Sequence, residues 1–148
     1  MLLIIYKNKN MSVNLNPIFP LVPVIGITRL SSANNARDGS GVISTLITGS
    51  TYGTKVDRIT FITSDASVST NSAMVGRIFI SDPSGLNYRL YTEINISSVA
   101  ASDTSIGSKN QIITGGLIIP FGTLIGAAIS VYAGIQDQID VIAEGGNY

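Results

Sequence analysis

Histidine and cysteine are both absent from this sequence, which leaves carboxylates to carry the commonest catalytic and metal chemistries. The Ser-His-Asp and Cys-His nucleophilic arrangements cannot form, nor can the usual zinc sites. Three carboxylates lie close together near the C-terminus: Asp137, Asp140 and Glu144. In type and spacing they suit a calcium ion or a general acid/base pair. Their setting argues otherwise, because Asp140 and Glu144 alternate with Val141 and Ala143, the pattern of a strand whose acidic residues face outward. Asp38 and Asp82 stand in ARDGSG (Ala36 to Gly41) and SDPSG (Ser81 to Gly85), where an aspartate caps its own backbone two residues on. No loop has calcium-binding spacing, and Gly115, Gly116, Gly122 and Gly126 match neither phosphate-cradling pattern. The sequence therefore nominates no catalytic, cofactor-binding or metal-binding residue, and the expected class is not an enzyme.

Charge and aromatic content point to association. Nine basic residues balance nine acidic ones, and charged residues make up 12% of the chain, against about 25% in an ordinary soluble domain. Mean hydropathy is positive at +0.37. A neutral, weakly charged, aliphatic chain favours self-association and burial of its surface in an interface. Arg29, Arg37, Arg58, Arg77 and Arg89 are scattered and compensated, unlike a nucleic-acid stripe. Arg58 beside Asp57, and Arg89 with Glu93, read as surface ion pairs. Tyr52, Tyr88, Tyr91, Tyr132 and Tyr148 suit either a sugar-stacking platform or protein contacts. The opening MLLIIYKNKN places its lysines after the apolar run, the reverse of a secretory signal. Met11 is a second candidate start, and no stretch approaches the roughly 18 apolar residues of a membrane span. Neither a membrane nor direct nucleic-acid contact is expected.

These residues need elements to hold them. In NPIFPLVPVIG, Pro17, Pro20 and Pro23 fall three residues apart, one polyproline turn, which rules out helix and central strand. Residues 1–23 are therefore expected to form an extended arm, with Ile18, Phe19, Leu21 and Val22 as apolar anchors, and residues 24–148 a β domain. Pro17, Phe19, Pro20, Leu21, Pro23 and the terminal Tyr148 are the candidate interface residues.

No helical apolar stripe is sustained, whereas β-branched and aromatic runs recur between turn residues. Eight strands are expected: Val24 to Leu30, Val42 to Thr48, Lys55 to Thr63, Met74 to Ser81, Tyr88 to Ile96, Gln111 to Ile119, Leu124 to Ala133 and Gln138 to Ala143. In the seventh, Ile125, Ala127, Ile129 and Val131 are assigned to the core, and Gly126, Ala128 and Ser130 form a small-residue face suited to close sheet or subunit packing. Eight short strands with these turns indicate an all-β sandwich with an extended arm. A jelly roll is preferred and an immunoglobulin-like sandwich is the alternative.

From Ser31 onward the chain resembles small jelly-roll-like structural proteins of tailed bacteriophages. The resemblance is carried by SSANNARDGSG (Ser31 to Gly41), GSTYGTKVDRITF (Gly49 to Phe61), GRIFISD (Gly76 to Asp82), YRLYTEI (Tyr88 to Ile94), GLIIPFGTLIGAAIS (Gly116 to Ser130) and VIAEGGNY (Val141 to Tyr148). It implies a virion location and a role as a head decoration or auxiliary capsid subunit, with head fibre, collar or tail as alternatives. The implied partners are the major capsid protein or neighbouring structural subunits, in a homo-oligomer, with a trimer as the preferred order. A receptor- or glycan-binding sandwich displayed on the virion is the competing function. Residues 1–30 lie outside the pattern, and it supplies no catalytic residues.

Overall fold

The computed structural model of the chain describes residues 19–63, 72–99, 106–131 and 138–148. They form eight strands: β1 (Val22–Leu30), β2 (Ser44–Thr48), β3 (Thr54–Thr63), β4 (Met74–Ile80), β5 (Arg89–Ile96), β6 (Lys109–Ile119), β7 (Leu124–Ile129) and β8 (Ile139–Asn147). Two four-stranded antiparallel sheets face each other, in the orders β1-β8-β3-β6 and β2-β7-β4-β5. The described residues contain no helix. The all-β class and sandwich architecture expected from the sequence are present.

Period-2 alternation decides which side chains meet between the sheets. Val56, Ile59 and Phe61 of β3 are fully enclosed, as are Ile78 of β4, Ile125 and Ile129 of β7, and Ile139 and Val141 of β8. Each stabilises the fold by roughly 1.5–3 kcal/mol on burial. The sheets approach closely at Gly26 in β1, where an added Cβ would lie 2.0 Å from the Leu46 carbonyl oxygen. Only glycine fits there.

Several strand ends differ from expectation. β1 begins at Val22 and takes in Pro23, paired with Gly146. Proline is tolerated because β1 is an edge strand. β8 runs past Ala143 to Asn147, although a Gly-Gly pair reads as a turn. Gly145 is needed there because a Cβ would lie 1.9 Å from the Lys55 carbonyl oxygen, beside the register shift between Val56 and Arg58. β7 stops at Ile129, and Val131, assigned to the core, is 37% exposed.

A larger correction concerns the small-residue face of β7. Ala128 is buried, and a Cβ on Gly126 would strike Ile43 and approach Tyr88. Phe79, on the same outer side of neighbouring β4, is fully enclosed yet stands apart from the inter-sheet core. The chain covers this face itself, folding residues 31–43 over it, so the face is not open to a partner.

Candidate interaction surfaces

The cover over the second sheet is held by a buried guanidinium. Arg77 on β4 is 4% exposed. It donates from Nη1 to the Asn34 carbonyl at 2.6 Å and from Nε to Glu93 at 2.8 Å. Arg77 and Glu93 are cross-strand partners in the β4–β5 ladder. Arg37, from the covering loop, donates to the same Glu93 oxygen at 3.0 Å. The bonds from Arg37 and then Arg77 hold the Glu93 carboxyl below the usual carboxylate range. Asn34 fastens the loop internally, donating to the carbonyls of Ser40 and Val42 and accepting from the Ala36 amide, while its own amide bonds to Ile129. Glu93 thus serves Arg37 and Arg77, not Arg89 as expected. Arg77 and Asn34 were missed because their partners lie 43 residues apart in sequence.

The outer face of the first sheet carries paired charges. Arg29 of β1 grips Asp140 of β8 with bonds of 2.7 and 3.1 Å. Arg58 of β3 forms a two-pronged pair with Glu144 of β8, and this lowers the Glu144 pKa. The expected Arg58–Asp57 pair is replaced, since Asp57 contacts Lys55 at 2.6 Å. Asp140 and Glu144 are therefore committed to ion pairs, and Asp137 lies outside the described residues. Asp82 accepts from the Ser84 hydroxyl and the Asn87 side chain, which bring its pKa down to about 2, and Asp38 is held low by Ser40. Among the described residues no cluster of three potential metal ligands occurs.

Between the charged pairs the same face is apolar. Ile25 and Ile27 of β1 are 66% and 67% exposed, and Ile27 lies opposite Ile142 of β8. These isoleucines were not singled out in the sequence, because a strand pattern does not tell an edge from a centre.

The nominated arm residues meet at one end of this sheet. Leu21 donates its amide to Asn147 at 2.8 Å, and Pro20 lies against Gly146. Phe19 and Leu21 remain largely exposed, around a hollow of about 350 Å³ that also reaches Pro23, Lys55 and Asp57. Tyr148 donates its amide to the Gly53 carbonyl at 3.1 Å and places its ring beside Gly53. Pro17 lies outside the described residues. A second hollow, about 530 Å³, opens between exposed Tyr52, Ile118 and Phe121. The tyrosines do not form one platform: Tyr52 and Tyr148 flank Gly53, Tyr88 packs near Gly126, Tyr91 stands on β5, and Tyr132 lies outside the described residues.

A third hollow, about 640 Å³, lies between residues 38–40 and 80–89 and includes Asp38, Asp82, Tyr88 and Arg89. Its two carboxylates are engaged in their own turns. No protein-family model matches the chain, and no curated protein matches it.

Proposed function

We propose that this chain is a structural subunit of a bacteriophage virion, an auxiliary or decoration capsid protein that works by packing and not by catalysis. The observation that carries the reading is a sandwich in which most of the charged groups among the described residues are engaged in ion pairs and turns, while exposed Phe19, Leu21, Val22, Ile25 and Ile27 adjoin one another on the arm and β1, and Tyr52, Ile118 and Phe121 at one end of the first sheet. Such exposed apolar surface marks a contact site. The phage assignment itself rests on the resemblance of the motifs from Ser31 onward.

The strand pairing supports a jelly roll over an immunoglobulin-like sandwich. β1 pairs with β8, β2 with β7, β3 with β6 and β4 with β5, as in a long hairpin folded at its middle and rolled into two sheets. An immunoglobulin-type sandwich instead divides its strands as ABED and CFG, whereas here β1 and β3 join β8 and β6 in one sheet. Two interleaved Greek keys of this kind occur in viral capsid domains and also in lectins.

The test is incorporation into particles. A Phe19→Ser/Leu21→Ser double variant should fold normally by far-ultraviolet circular dichroism yet fail to co-sediment with particles. Full incorporation would refute the arm's part in packing. The exposed Tyr52 and Phe121 beside the second hollow favour one alternative, a glycan-binding sandwich displayed on the virion. Glycan-dependent quenching of tyrosine fluorescence, lost in Tyr52→Ala, would decide for it.

A further inference from the structure

We infer that β1 is the edge through which two copies of this chain join, pairing strand to strand across a two-fold axis at Gly26. This deepens the packing role proposed above and rests on it.

The four sheet edges are unequal. An unpaired edge offers its backbone N–H and C=O groups to any passing strand, and proteins blunt such edges with short strands, bulges or charges. β2 is five residues long and its ladder is bulged. β5 begins with exposed Arg89 and pairs through a bulge. β6 begins with Lys109 and carries Gly115 and Gly116 at positive φ, beside its own register shift. β1 is blunted only by Pro23, near its start. It keeps an unbroken register for nine residues against β8, its sole strand partner among the described residues. Its only charge, Arg29, is neutralised by Asp140.

A second copy suits that edge better than a foreign strand. Gly26 is the middle residue of Val22–Leu30. With Gly26 facing its counterpart in an antiparallel ladder, Ile25 of each copy stands opposite Ile27 of the other, on the same sheet face. Four isoleucines then form one block, extended on both sides by Ile142. Pro23, which has no N–H, falls near the ends of the ladder. Charge does not oppose the contact, because the net charge is zero and the neighbouring Arg29 and Arg58 are already paired.

Exposed Val22, Ile25 and Ile27 lie on this edge strand, so each copy brings the same apolar strip to the contact. The geometry gives a dimer as the first unit of assembly, in place of the trimer preferred from the sequence.

Light scattering on the full chain tests this at about 100 μM, above the micromolar dissociation constants of the weaker protein interfaces. The expected mass is twice the 15.5 kDa of one chain. Ile25→Lys/Ile27→Lys should halve that mass without altering the circular dichroism spectrum, since both positions are exposed. The chain has no cysteine, so register can be read separately. A mixture of Ile25→Cys and Ile27→Cys chains should cross-link on oxidation more completely than either alone. A monomeric parent chain, a dimer that survives the lysines, or Ile25→Cys cross-linking best with itself would each overturn the inference. A multimer that survives the lysines would leave the packing role intact on another surface, and incorporation into particles tests that role independently.

Discussion

Replacing Arg77 with alanine should detach the loop cover from the second sheet. The substitution removes two short bonds, to the Asn34 carbonyl and to Glu93, from a side chain that is 4% exposed. A hydrogen bond involving a charged group contributes roughly 1.5–3 kcal/mol, and a buried carbonyl left without a donor costs about 1–3 kcal/mol. Glu93 is partly exposed and keeps Arg37, so its share is discounted. The expected loss is about 3 kcal/mol, a large fraction of a typical 5–15 kcal/mol stability. Urea unfolding should show the midpoint falling by roughly 1–3 M at unchanged slope, for slopes of about 1–3 kcal/mol/M. Hydrogen exchange should also accelerate at the Asn34 amide, which bonds to Ile129. A loss under about 1 kcal/mol, with the Asn34 amide still protected, would refute the idea that Arg77 secures the cover.

Other substitutions separate strong from weak contributions. Gly26→Ala forces a methyl against the Leu46 carbonyl backbone and should cost about 1–3 kcal/mol in urea unfolding, as overpacking does. Arg58→Met should leave the urea midpoint nearly unchanged, because its pair with Glu144 is exposed and screened by solvent. Asp82 has a pKa lowered from 3.8 to about 2, so its ionised form is favoured by folding. That contribution is fully present above its unfolded value and is lost as pH falls from about 4 to 2. Asp82→Asn should flatten the acid limb of a stability profile taken over that window, while leaving the profile above pH 5 parallel to the parent.

The legible parts of the fold are those written in short-range patterns. β3 and β5 alternate strongly enough to give both their position and their faces, and Pro83 with Gly85 marks the turn between β4 and β5. What depends on distant partners was not legible. The small residues of β7 look like an open contact face until residues 31–43 are seen to cover them, and nothing near Gly126 announces Ile43. Arg58 has an acidic neighbour in sequence, yet strand register gives it Glu144. The arm's proline spacing speaks against a central strand, and β1 takes in Pro23 because an edge position asks no N–H of it. The exposed Ile25 and Ile27 became candidates only once β1 was known to be an edge.

Packing of the chain into a virion, as proposed above, is checked by quantitative mass spectrometry of purified particles of a phage whose genome encodes it. The account predicts peptides of this chain at a fixed copy number per particle that survives a high-salt wash, as apolar contacts would. Absence from purified particles, or loss in the wash while other structural proteins remain, would contradict it.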